Sequence, residues 1–129
     1  MFDVERLADF AETALQNFAL AHQNETFYAF AIDAHLLCLN SEEQFQKALA
    51  ASRLNPGDWE YQGFAMFGEQ NGFDGDLYGE HYTLDAEQRK VSEYGQAMDR
   101  VLELLTARDA FGPLKKTDDF LCIRVEHDY

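Results

Sequence analysis

The spacing of hydrophobic residues near the start of the chain predicts an amphipathic helix over residues 2–22. Asp3 and Glu5 suit the positive N-terminal end of its dipole, and Asn24 marks the expected exit. The apolar positions recur at steps of three and four, which puts them on one helical face: Leu7, Phe10, Ala11, Ala14, Leu15 and Phe18.

Two apolar runs after this helix predict a β-hairpin. Residues 26–33, TFYAFAID, are apolar on both alternating faces, which is typical of a central strand covered on both sides. A short polar interruption precedes the second run, HLLCLN, at residues 35–40. Ser41 then begins the pattern S-E-E-Q, a capping box that predicts a helix over residues 42–52.

Turn residues separate the next elements. The run N-P-G-D at residues 55–58 predicts a type II turn in which Gly57 takes a positive φ. Residues 59–67 predict a further extended element, with Gly63 as a bulge. Residues 68–84 contain four glycines and no apolar period, so they predict a long loop.

The last third of the chain predicts one long helix and one strand. Asp85 is the expected N-cap of a helix that reaches about residue 110, before Gly112 and Pro113. The run FLCIRV at 120–125 predicts the last strand. The expected apolar stripe of the helix consists of Val91, Tyr94, Met98, Val101, Leu102 and Leu105.

This order of elements predicts a fold class. A single α+β domain over residues 1–129 is expected, because the chain is too short for two independent cores. A small, mainly antiparallel sheet of about four strands would carry about three helices packed against it. Aromatic residues make up 14% of the chain, so the core is expected to consist largely of rings.

The charge of the chain is strongly negative and unevenly distributed. The net charge is −14, of which −13 falls within residues 1–88. Residues 54–88 carry eight acids and no Lys or Arg. Such a field repels the phosphates of nucleic acids and the surface of anionic membranes, and it attracts a basic protein. We therefore expect no binding to nucleic acid or membrane. The simpler alternative is that the acids keep the protein soluble.

The cysteines and the hydropathy indicate a reduced, cytoplasmic environment. Cys38 and Cys122 each lie in an apolar run, which predicts two free thiols in the core. No apolar run approaches the roughly 20 residues that span a bilayer. The first residues lack the pattern of a signal peptide.

Motifs for metal binding and catalysis are weak. Asp74, Asp76 and Asp85 have the spacing of a calcium loop, with Gly79 at the sixth position. Tyr78 replaces an oxygen ligand, however, and no helix is predicted before the loop. Neither a nucleophile motif nor a phosphate-binding glycine loop is present in the sequence. We therefore expect neither a metal nor a cofactor, and no enzymatic activity.

Aromatic residues among the acids predict a protein-binding surface, because such surfaces use rings as anchors and charges as steering groups. Trp59 is expected to be a core ring that closes the turn at residues 56–57, whereas two loop tyrosines are the expected contact rings. The predicted partner-binding residues are Asp58, Glu60, Asp74, Asp76, Tyr78, Glu80 and Tyr82.

Two stretches resemble an uncharacterised bacterial domain family. FYAFAID at residues 27–33 is similar to its F-Y-A-F-A strand, and NPGDWEY at residues 55–61 to its S-P-x-x-W-x-Y motif. Asn55 stands where the family usually has Ser, and the resemblance covers mostly residues 1–65. Members of such families are often found near polymorphic or contact-dependent toxins, where small acidic proteins serve as immunity partners. The resembling motifs imply structure and no active-site residue.

Charge and resemblance together predict an immunity protein that binds a cognate bacterial toxin or effector. The partner would have a basic active-site cleft, as a nuclease has, and the acidic surface would occlude it. A different hypothesis is a small-molecule- or metal-binding domain, or an enzyme, that uses a pocket between sheet and helices. A third is a general adaptor with no connection to a toxin.

Overall fold

A computed structural model of the chain describes residues 3–45, 53–68, 71–73 and 84–125. The helices of these residues are α1 (Val4–Ala21), α2 (Glu42–Phe45), α3 (Ala86–Val91) and α4 (Glu93–Ala107), with a 3-10 turn at Pro56–Asp58. The strands are β1 (Phe27–Asp33), β2 (Leu36–Ser41), β3 (Tyr61–Met66) and β4 (Lys116–Val125). The predicted helix over residues 42–52 is seen as α2, and its residues 46–52 lie outside the described residues.

The four strands form one sheet in the order β3-β2-β1-β4. β1 pairs antiparallel with β2 and parallel with β4, and β2 pairs antiparallel with β3. All seven residues of β1 are buried, as the apolar run on both of its faces predicts. The predicted α+β class with a mainly antiparallel sheet is therefore confirmed, and so is the predicted hairpin.

Each face of the sheet carries its own hydrophobic cluster. On the first face, α1 and α4 pack over Phe27, Phe30 and Ile32 of β1 in a large cluster rich in phenylalanine. On the second face, a smaller cluster is covered in part by the segment around the 3-10 turn. The buried members of this smaller cluster are Tyr28, Ala29, Ala31, Cys38 and Trp59.

The predicted helix over residues 85–110 is two helices. Asp85 caps α3, as predicted, and it also forms a capping box with Gln88. The backbone of Ser92 is extended (ψ 162°), and its side chain accepts a hydrogen bond from the Gly95 N–H, which caps the start of α4. Val91 is 68% exposed, so its predicted place on the core stripe is wrong.

The two glycines with predicted special conformations behave differently. Gly63 has φ +69° and lies where the pairing of β2 with β3 changes register, which confirms the bulge. Gly57 lies in the 3-10 turn, where φ is negative, so the predicted type II turn is wrong. The Asn55 side chain accepts a hydrogen bond from the Gly57 N–H and stabilises this tighter turn.

Both cysteines are free, as predicted. Cys38 belongs to the cluster on the second face, and Cys122 packs against the cluster on the first face. Burial raises the pKa of the Cys38 thiol to about 12 and the pKa of Cys122 to about 11. Because the sheet separates the two sulfurs, the thiols cannot form a disulfide without unfolding.

Replacement of Gly63 by Ala tests the bulge. A left-handed φ costs a residue with a side chain about 1–2 kcal/mol, and the added Cβ would lie 3.3 Å from Leu36 Cδ2. We therefore expect Gly63→Ala to lower the free energy of unfolding in urea by at least that amount. Gly57→Ala is the matched control at an exposed glycine of negative φ, where the change should be within about 1 kcal/mol of zero or stabilising. Equal losses in the two variants would contradict the assigned conformations.

Candidate partner-binding surface

The structure describes two of the seven predicted contact residues, Asp58 and Glu60. Both are exposed, and they flank Trp59, which is only 4% exposed. The predicted role of Trp59 as a core ring is confirmed. The other five predicted contacts lie outside the described residues, as does most of the calcium-like loop: Asp74, Asp76, Tyr78, Glu80 and Tyr82.

The segment from Arg53 to Tyr61 carries Asp58 and Glu60, and the backbone carbonyl of Arg53 fixes its start. Its carbonyl oxygen accepts one hydrogen bond from Tyr28 Oη at 2.7 Å and another from Trp59 Nε1 at 3.1 Å. The Tyr28 and Trp59 rings meet edge to face, with centroids 6.0 Å apart. One carbonyl therefore ties the turn to the central strand.

The Arg53 side chain adds a second attachment. Its guanidinium lies over the Tyr28 ring at 4.3 Å and the Phe45 ring at 4.9 Å, which are cation–π contacts. It also pairs with Glu42 at 3.1 Å and with Asp119 at 3.6 Å. Sequence reasoning did not identify Arg53 as an anchor. The only signal in the sequence is that Arg53 is the last Lys or Arg before residues 54–88, which contain neither.

Tyr61 fixes the other end of the segment on the first face of the sheet. Its hydroxyl donates a hydrogen bond to Glu25, which also receives one from Ser41 Oγ at 2.9 Å. The ring nitrogen His22 Nδ1 lies 3.2 Å from the same carboxylate, and the His22 ring stacks on Phe18. Sequence reasoning missed Glu25, because its partners are brought to it by three different elements.

The environment of Glu25 favours its ionised form. Burial alone would raise the pKa of this carboxyl, but hydrogen bonds from Tyr61, Ser41 and His22 outweigh burial and lower its pKa. Burial, together with the carboxylate of Glu25, raises the pKa of Tyr61 to about 12. Tyr61 therefore stays protonated and keeps donating to Glu25 across the physiological range of pH.

The Ser41, Glu25 and His22 side chains do not have the order of a nucleophilic triad. In such a triad the histidine lies between the serine and the acid, whereas here the carboxylate lies between the other two. Ser41 Oγ also accepts a hydrogen bond from the Gln44 N–H at 3.2 Å, which caps α2. The arrangement therefore joins α1, β2 and β3.

Among the residues that the structure describes, no group of three His, Cys, Asp or Glu could hold a metal ion.

Acidic and aromatic residues alternate along the segment from Asp58 to Tyr61. Trp59 packs on the second face and Tyr61 on the first, while Asp58 and Glu60 stay exposed. The Asp58 side chain accepts a hydrogen bond from Asn55 Nδ2 at 3.1 Å. Since the rings between the carboxylates are anchored, the carboxylates are presented on a fixed backbone.

Two arginines of the C-terminal third pair with acids on other elements. Arg108 contacts Asp9 at 2.8 Å and Glu12 at 3.4 Å, both on α1. Arg124 of β4 contacts Asp99 of α4 at 2.7 Å. Residues 54–88 have no Lys or Arg of their own, and their described carboxylates are all exposed: Asp58, Glu60, Asp85 and Glu87.

The Glu25 hydrogen bonds predict a pH-dependent stability. Because the pKa of Glu25 in the folded protein is below its ordinary value of 4.5, ionised Glu25 stabilises the fold above that pH, and this stabilisation is lost as the pH falls through the folded pKa. Tyr61→Phe should lower the free energy of unfolding by about 1.5–3 kcal/mol at neutral pH, the typical contribution of a hydrogen bond to a charged group. Urea unfolding from about pH 3 to pH 7 should show a smaller loss at the acid end.

Tyr94→Phe is the matched control for this experiment. The Tyr94 hydroxyl donates to the neutral carbonyl of Ala34 at 3.0 Å, so its removal should cost about 1 kcal/mol with little dependence on pH. A pH profile that is the same for the two variants would contradict the assignment of Glu25 as the titrating partner of Tyr61.

No helix among the described residues is both long and apolar enough to cross a membrane. The stretches at residues 27–33 and 55–61 contact each other in the fold, since Tyr28 lies in the first and Trp59 in the second. Comparison with known proteins found no family model, no curated protein and no solved structure that matches this chain.

Proposed function

We propose that this chain is an immunity-type protein that binds a basic bacterial toxin or effector and blocks its cationic site. The observation that carries the proposal is the exposed pair Asp58 and Glu60, held on an anchored turn inside a stretch with no Lys or Arg. The cytoplasm is the compartment in which such a protein would protect its own cell.

The rigid backbone of the turn supports this proposal. A binding surface that is ordered before the partner arrives avoids the entropic cost of ordering on association. Trp59 and Tyr61 are fixed by hydrogen bonds on the two faces of the sheet, so Glu60 between them has little backbone freedom. The carboxylates can therefore meet a complementary cleft without rearrangement of the main chain.

The charge of the chain supports the chemistry of the partner. A net charge of −14 speeds the approach of a basic protein and slows the approach of nucleic acid. Carboxylates that enter a cationic cleft occupy the positions that substrate phosphates take in a nuclease. The mechanism of inhibition would be exclusion of an anionic substrate.

The proposed surface continues into the sequence-predicted loop. Asp74, Asp76 and Glu80 would add charge contacts, while Tyr78 and Tyr82 would add apolar contact area. These five residues enter the proposal from sequence reasoning alone.

The experiment pairs this chain with the product of the gene adjacent to its own. Expression of that product should arrest a bacterial host, and co-expression of this chain should restore growth. With the purified proteins, Asp58→Asn combined with Glu60→Gln should slow association about tenfold at low salt, and the difference should shrink as salt screens the charges. Stopped-flow measurement at several ionic strengths gives the rate constants.

The matched control also removes two negative charges, but from exposed positions outside residues 54–88. Glu93→Gln with Asp109→Asn changes the net charge by the same amount at the start and just beyond the end of α4. This control should associate nearly as fast as the wild type. Equal slowing in both double variants would show that only the net charge matters, and failure of this chain to bind or protect would refute the proposed function.

A further inference from the structure

The two edge strands of the described sheet differ in how well they are protected against pairing with another strand. β3, at one edge, contains the bulge at Gly63 and follows the exposed Glu60. Bulges and charges are common devices that prevent a sheet edge from adding a further strand. β4, at the other edge, changes register against β1 between Lys116 and Leu121 and is regular from Leu121 to Val125.

The second half of β4 is apolar on both faces and only half-buried. Phe120 and Cys122 pack against the cluster on the first face, while Leu121, Ile123 and Val125 pack against the cluster on the second face. All six residues of the run 120–125 have intermediate exposure. Beside Cys122 lies an open, shallow depression that is also lined by Leu102, Thr106 and Ala107 of α4. An edge of this composition favours association with another strand.

The local charge of β4 distinguishes it from the rest of the molecule. Lys115, Lys116 and Arg124 outnumber Asp118 and Asp119, so residues 115–125 carry a charge of +1 in a chain of net charge −14. A basic partner gains nothing by approaching this edge. A second copy of the chain meets it with only a weak local repulsion, because each copy carries one net positive charge there.

We propose that two copies of this chain associate through antiparallel pairing of β4 with β4 of the second copy. A two-fold axis perpendicular to the sheet relates such strands, so directly opposed residues must lie on the same face of the continuous sheet. Only registers in which a residue on the axis faces its own counterpart satisfy this condition. The result would be a continuous sheet of eight strands.

Among the registers centred on residues 119 to 123, only one places Arg124 opposite a carboxylate. With Leu121 on the axis, Asp118 faces Arg124 of the second copy, and by symmetry this pair occurs twice. With Phe120 on the axis, Lys116 would face Arg124, and with Asp119 on the axis two carboxylates would face each other. Opposite charges across two strands stabilise their pairing, whereas like charges weaken it.

The position of Arg124 suits this register. Its Nε lies 2.7 Å from Asp99 Oδ1, and Nη2 lies 3.4 Å from Asp99 Oδ2, which holds the guanidinium on the first face of β4. Asp118 is exposed on the same strand, two residues before Phe120, which packs on that first face.

Sedimentation equilibrium of the wild-type chain tests the association. We expect a species of twice the chain mass of 14.8 kDa at concentrations on the order of 100 μM, where a small interface is populated. Because the two copies repel each other at long range, the dimer should strengthen from low to physiological salt. Binding of a basic partner should instead weaken as the salt concentration rises. The two proposals can therefore be refuted separately.

Charge reversal at Asp118 tests the register. Asp118→Lys should weaken the dimer about tenfold, because it puts two like-charged pairs across the strands. Glu60→Lys is the matched control, with the same change in net charge at the opposite edge of the sheet. It should leave the dimer as strong or stronger. Equal weakening in both variants would overturn the assignment to β4.

Oxidative cross-linking gives a direct readout of the axis. Leu121→Cys should form a disulfide between copies, since directly opposed residues have Cα atoms about 4.5–5.5 Å apart, within the range that a disulfide spans. Cys122 of the wild-type protein should remain uncross-linked, since cross-linking there would shift the axis by one residue and overturn the Asp118–Arg124 pairing. A wild-type chain that stays monomeric up to about 1 mM, the weak end of specific association, would overturn the proposal as a whole.

Discussion

The burial of β1 on both faces is the constraint on which the rest of the structure depends. Every residue from Phe27 to Asp33 is buried, so the sheet requires a cover on each side. α1 and α4 cover the first face with a large apolar cluster. On the second face, burial of Tyr28 places its hydroxyl where it needs a partner, and the Arg53 carbonyl supplies one at 2.7 Å. The position of the acidic turn is therefore a consequence of how the central strand is buried.

The unequal size of the two covers explains why interaction surfaces arise where they do. The second face has a small buried cluster, and single residues such as Arg53 and Trp59 hold much of its cover in place. A short, tightly anchored cover presents exposed side chains on a fixed backbone, as at Asp58 and Glu60. The same small cover leaves Leu121, Ile123 and Val125 of β4 only partly buried. One feature of the fold thus produces a fixed acidic turn near one edge and an apolar strand at the other.

Local patterns predicted the elements of this fold better than the contacts between them. The 3.6-residue period located α1, the apolar run located β1, and Asp85 marked the start of α3, because each signal depends on neighbours in sequence. The helix break at Ser92 was missed, although serine is a common N-cap residue and is a usable signal in the sequence. Gly57 was assigned the wrong turn because its negative φ is stabilised by the Asn55 side chain. Arg53 and Glu25 escaped sequence reasoning because their partners come from distant elements, and no local pattern encodes such contacts.

The two proposed surfaces can be occupied at the same time because the sheet keeps them apart. Glu60 immediately precedes β3, and β4 is the third strand from it in the order β3-β2-β1-β4. Strands lie about 4.8 Å apart, so about 14 Å of sheet separates the two edges, which exceeds the Debye length of about 8 Å at physiological salt. The link between the two surfaces is Arg53, whose carbonyl holds Trp59 and whose guanidinium pairs with Asp119 of β4 at 3.6 Å. Arg108 contacts acids of α1 and Arg124 contacts Asp99 of α4, so these two cations are paired away from the acidic turn. Pairing of two copies through β4 would therefore leave each acidic turn exposed, and a dimer would present two such turns to basic partners.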